Sequence, residues 1–132
     1  MYYKLFVSML ILFVPNIILG KNYMMNCTSP DFKTTAFYKY DSTNEILLIR
    51  PMKNKWKDFC KTNTHSEESI SCTFNKFNII RSSTIKKEDD YLNKSYNINF
   101  IEYSLVEIIK TYKNNNLEEK INNIYKCRKI KI

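Results

Sequence analysis

Few side chains in this sequence could do chemistry. His65 is the single histidine of the 132 residues, so a two-histidine metal site or a histidine acid–base pair cannot be assembled. Gly20 is the single glycine, which removes Walker loops, dinucleotide fingerprints and other glycine-built phosphate cradles. Carboxylates cluster at Glu67-Glu68, Glu88-Asp89-Asp90 and Glu118-Glu119. A glycosidase needs two carboxylates across a cleft, and a calcium loop needs alternating oxygen ligands around a sharp turn. Runs of adjacent acids match neither and read as solvated surface. No metal or cofactor is implied, and the chain is expected not to be an enzyme.

One basic segment stands out. Lys53, Lys55 and Lys57 alternate with Asn54, Trp56 and Asp58, so an extended backbone would place three ammonium groups on one side and the only tryptophan on the other. Lys53, Lys55, Trp56 and Lys57 form the candidate binding strip, suited to a sulfated glycan or a nucleic acid strand. The competing reading, and the favoured one, is an edge strand whose lysines discourage sheet-to-sheet pairing while Trp56 fills the core. The tail from Lys126 to Ile132 permits the same two readings. The run Cys60-Lys61-Thr62-Asn63-Thr64 resembles the Cys-Lys-x-x-Asn-Thr signature of pancreatic-type ribonucleases, one residue short. That family works with two histidines, and here only His65 exists.

Charge must be read against composition. Lysine, asparagine and isoleucine supply 18, 16 and 17 residues against one alanine and three arginines, the coding bias of an AT-rich genome. Such bias inflates lysine regardless of function. The formal charge of +8 therefore argues only for weak, salt-sensitive attraction to polyanions.

The first twenty residues differ from the rest. Met1-Tyr2-Tyr3-Lys4 is a short positive start, residues 5–19 are an apolar run broken by Pro15, and Gly20 is a small residue where a signal peptidase would cut. The run falls short of the ~20 residues that cross a bilayer. Residues 1–20 are expected to be a signal peptide, and 21–132 a single exported domain carrying a formal +7 once Lys4 is removed.

An exported domain of this size with four cysteines is expected to carry two disulfides. Cys60 and Cys72 flank a polar stretch and are expected to clamp one loop, leaving Cys27 and Cys127 to tie the ends together. The rival is an immunoglobulin-style Cys72–Cys127 pair, supported by Tyr125 two residues before Cys127. It lacks a tryptophan after Cys72, and only five residues follow Cys127.

These residues need a framework, and the alternation of apolar positions supplies one. Phe32, Thr34, Ala36, Tyr38 and Tyr40 share one face of an extended segment, residues 41–44 form a turn, and residues 45–50 form a second strand stopped by Pro51. Apolar parity changes between Phe74 and Phe77, which suggests a bulge. Residues 83–95 are mostly polar and read as a loop or short helix. Residues 104–128 satisfy both a strand reading, with Asn114, Asn115 and Asn116 supplying a left-handed turn, and a helical reading with apolar residues at i, i+3, i+4 and i+7. The β-branched and aromatic content favours strands. The expected fold is an all-β barrel or sandwich tied by disulfides, with α+β as the alternative. A cysteine just inside the start, an all-β body and a cysteine near the end resemble the layout of small exported barrels that inhibit C-type lysozymes. Their Ser-Gly inhibitory loop has no counterpart in residues 21–132, so no binding residue carries over.

The reading that follows is a secreted or periplasmic binding protein for an extracellular protein or an anionic glycan, with a host-interaction or inhibitor role. The alternative is a lipocalin-like carrier of a small apolar ligand, whose cavity Tyr38, Tyr40, Phe74 and Phe100 would line.

Overall fold

The computed structural model describes residues 21–61 and 67–131. The expected signal peptide, His65 and most of the ribonuclease-like run lie outside the described residues. The fold is all-β: β1 (Asn22–Thr28), β2 (Thr35–Asp41), β3 (Ile46–Pro51), β4 (Lys57–Asp58), β5 (Glu68–Asn75), β6 (Asn78–Lys87), β7 (Asp90–Asn99), β8 (Ser104–Lys113) and β9 (Asn116–Ile130). The helical alternative for the last third is overturned, because those residues are paired in β8 and β9.

The strands form one antiparallel sheet in the order β4-β3-β2-β1-β9-β8-β7-β6-β5, curled into a half-barrel. Among the described residues β9 is the only strand that belongs to both halves. Its positions up to Tyr125 pair with β8, and Lys126 to Ile130 pair with β1. The curl brings aromatic rings of the two halves together: Tyr40 stacks on Phe74 and Phe100 at 6.1 and 5.4 Å between centroids, and Tyr23 meets Phe77 edge-on at 5.2 Å. Met25, Cys27, Leu47 and Ile49 from one half and Ile79, Ile98 and Leu105 from the other complete the core.

β4 and β5, the two ends of the strand order, are joined by chemistry rather than by a ladder. Cys60, just past β4, bonds Cys72 in β5. Beside it Arg81 donates from Nε to the Phe59 carbonyl at 2.6 Å, and its guanidinium lies 4.0 Å from the Phe59 ring centroid. The second disulfide links Cys27 and Cys127, which are direct cross-strand partners on β1 and β9. Both expected pairings are therefore present, and the Cys72–Cys127 alternative is not.

Three local expectations change. The parity shift near Phe74 is a hairpin, not a bulge: Asn75 pairs with Asn78, and Lys76 and Phe77 turn the chain with Lys76 at φ 55°. Residues 83–95 are neither loop nor helix but the ends of β6 and β7 around a turn at Glu88 and Asp89, with Glu88 at φ 54°. Their polarity reflects positions only partly covered by the core. Phe32 does not join the face of Tyr38 and Tyr40; it sits in a turn at φ 61° and is 72% exposed. The asparagine turn holds, with Asn114 at φ 50° and Asn115 at φ 63°. Two consecutive left-handed residues make the type I′ turn that matches strand twist.

Candidate functional site

The interior is occupied. Phe100, Tyr40 and Tyr38 are buried, and the Tyr40 hydroxyl donates to the Lys76 carbonyl at 2.7 Å. The rings expected to line a carrier's cavity pack against one another or against Phe59. An apolar hollow of about 360 Å³ opens on the surface among Ile85, Leu92 and Thr111, away from those rings, and a more polar one of about 480 Å³ is lined in part by Tyr40.

A polar group is also built into the interior. Glu107 is 5% exposed and accepts from the Asn123 side-chain amide at 2.9 Å. The Tyr96 and Tyr125 hydroxyls face the same carboxylate. Burial, with Glu107 adding to it, holds the Tyr96 phenol far above its ordinary range, and burial does the same for Tyr38. Neutral phenols around a carboxylate satisfy its lone pairs. They supply no nucleophile at neutral pH.

The outer face is different. Side chains of cross-strand partners lie on the same face of a sheet, and the register Arg128↔Asn26, Asn26↔Phe37 and Phe37↔Arg50 sets these four residues in one row across β9, β1, β2 and β3. Their neighbours Cys27, Tyr38 and Ile49 point inward, so the row faces away from the core, with Arg128 exposed, Phe37 and Arg50 half-buried and Asn26 buried. An adjacent row carries Ile130, Met24, Lys39, Leu48 and Asp58. The Arg50 guanidinium lies 4.8 Å from the Phe37 centroid and 5.2 Å from that of Trp56. Among the described residues no carboxylate is within ion-pair distance of Arg50.

The candidate strip is rearranged by this geometry. Lys53 has φ 68° and residues 52–54 turn, so Lys53, Lys55 and Lys57 do not line one side of a strand. Lys53 is exposed on the turn and Lys55 just past it, and Lys57 alone of the three lies in a strand, the two-residue β4. Trp56 does not fill the core; it is half-buried on the outside against Arg50. The structure thus joins Trp56 to Phe37 and Arg50, which the sequence reading did not single out. The only signal for them was the hairpin register. A turn at residues 41–44 would pair Phe37 with Leu48, whereas the observed turn is one residue later.

Comparison with protein-family models, with curated proteins and with solved structures finds no match for this chain. Among the described residues no three His, Cys, Asp or Glu side chains converge as metal ligands, and no helix is long and apolar enough to cross a membrane.

Proposed function

We propose that this chain is an exported, non-enzymatic binding protein that engages an extracellular protein or an anionic glycan through the outer face around Arg50. The observation that carries this reading is Arg50 lying against both Phe37 and Trp56 with no carboxylate at ion-pair distance among the described residues. Tryptophan and arginine are the residues most enriched where a few side chains dominate binding energy. Ring contact lowers the entropy lost when such a side chain is immobilised by a partner. Export is supported by the two disulfides, which persist in oxidising compartments.

The carrier reading is the weaker one. The rings expected to wall an interior cavity pack on one another; hollows within the ~300–1,000 Å³ of a small-molecule site lie instead at the surface, about 360 Å³ among Ile85, Leu92 and Thr111 and about 480 Å³ beside Tyr40 and Phe77. Affinity capture from the fluid in which the protein occurs tests the proposal, with the wild type and Trp56→Ser run side by side. A partner retained by the wild type and lost by the variant is the expected result. Equal retention by both would remove this face from consideration.

A further inference from the structure

Resting on that reading, we infer that the outer face of β1, β2, β3 and the end of β9 binds the carboxylates of an acidic protein surface, with Arg50 as the central fork.

The first argument is the geometry of one cation. Phe37 and Trp56 both lie against the Arg50 guanidinium, at 4.8 and 5.2 Å from their ring centroids. Among the described residues no carboxylate occupies its planar edge of N–H donors at ion-pair distance. That edge matches a carboxylate in a bidentate pair, which an ammonium group cannot reproduce.

The second argument is the arrangement of the others. Arg128 ends the same row three strands away, roughly 14 Å at the usual interstrand spacing. Lys39 and Lys126 sit two residues off that row, on β2 and β9. Phe37, Met24 and Leu48 lie between the cations. Asp58 and, one row further on beside Lys39, Asp41 are carboxylates on this face; Asp58 accepts from the Cys60 backbone N–H at 2.8 Å, and Asp41 accepts from the Thr43 and Asn44 backbone N–H groups and the Asn44 amide. Positive charge is therefore spread in two dimensions over a partly apolar face, with Lys53 and Lys55 at one margin, whereas Lys57 pairs with the inward-facing Ile49 and does not join this face. A glycan or nucleic acid strand favours a continuous track of cations. A protein surface contacts a flat area with charges interspersed among apolar groups.

The third argument is residue type. The lysine excess follows the composition of the whole chain, but arginine occurs only three times. Arg81 is inside, and the other two, Arg50 and Arg128, share this single row. Coding bias toward lysine does not account for arginine at both ends.

Trp56 is the only tryptophan, so its fluorescence reports directly on the site. The purified exported protein is titrated with a decaglutamate peptide at about 0.15 M salt, where long-range attraction between exposed charges is screened. A saturable change in Trp56 emission is expected. Arg50→Lys, which keeps the charge and loses the fork, is expected to weaken binding at least about tenfold with an unchanged thermal midpoint. Lys86→Ser, Lys87→Ser and Lys120→Ser combined, which remove three charges elsewhere, are expected to change it less than about threefold. The inference fails if Arg50→Lys binds as the wild type does, or if the triple variant weakens binding as much as Arg50→Lys. It also fails if a heparin hexasaccharide binds more than about tenfold tighter than decaglutamate, which would assign the face to a sulfated glycan. Should the naturally captured partner be lost by Trp56→Ser while decaglutamate does not bind, the binding face stands and the carboxylate assignment falls.

Discussion

Removing the Cys60–Cys72 bridge tests how the half-barrel is closed. β4 and β5 are the ends of the strand order, and this bridge spans them over a sequence separation of 12. In the chain-entropy treatment such a loop raises stability by about 3 kcal/mol, against about 4.7 kcal/mol for the separation of 100 between Cys27 and Cys127. Replacing Cys60 and Cys72 by alanine should therefore cost about 3 kcal/mol, or roughly 10–15 °C in thermal midpoint for a domain of this size. The Cys27→Ala and Cys127→Ala pair should cost more, because a longer loop is released and buried sulfur is lost from the core. Urea denaturation gives both values, and the slope should rise as the unfolded chain expands. Hydrogen exchange locates the first loss: the Phe59 N–H, bonded to the Leu47 carbonyl at 2.9 Å, should lose protection while β8 and β9 keep theirs. A cost below about 1 kcal/mol, or a larger cost for Cys60–Cys72 than for Cys27–Cys127, would refute the chain-entropy account of this seam.

Three further outcomes follow from the same packing. Arg81→Leu should destabilise by about 3 kcal/mol in urea denaturation, because the Phe59 carbonyl loses its donor and Glu68 its 3.9 Å partner. Glu88→Gly should stabilise by about 0.5–1 kcal/mol by the same assay, since the first central position of its two-residue turn has φ 54° and a side chain there is strained. Burial raises the Tyr38 and Tyr96 phenols above their ordinary value, so the folded state keeps protons that the unfolded chain releases above about pH 10. Their contribution to stability is complete below that pH and falls as pH rises through it. Tyrosinate absorbance should show these two rings ionising only as the fold is lost, and their titration in a still-folded protein would contradict the packing.

Much of this architecture was legible in the residues. Alternation gave the strands around Tyr38 and Leu47, consecutive asparagines gave the turn at 114–115, and spacing gave both disulfides, because side-chain period and loop closure are local properties that a single chain carries. With no glycine in residues 21–132, left-handed positions among the described residues fall to Phe32, Glu45, Lys53, Lys76, Glu88, Tyr103, Asn114 and Asn115, of which the sequence reading anticipated the asparagines alone. Segments only partly covered by the core, such as residues 83–95, carry small and polar residues even at inward positions like Ser83; they lost the alternation signal and were misread for that reason. The outer face was decided by tertiary structure. Its row exists only because the β2–β3 turn occupies residues 42–45, so that Asp41 pairs with Ile46, and because β9 returns beside β1 to set Arg128 opposite Asn26. A shift of one residue in either pairing would break the row, and strand register depends on which side chains the assembled core accepts. Trp56 illustrates the same limit. Its apolar ring predicted the core, but the turn at residues 52–54 and the cation at Arg50 gave it a partner outside, and neither was determined until the strands had paired.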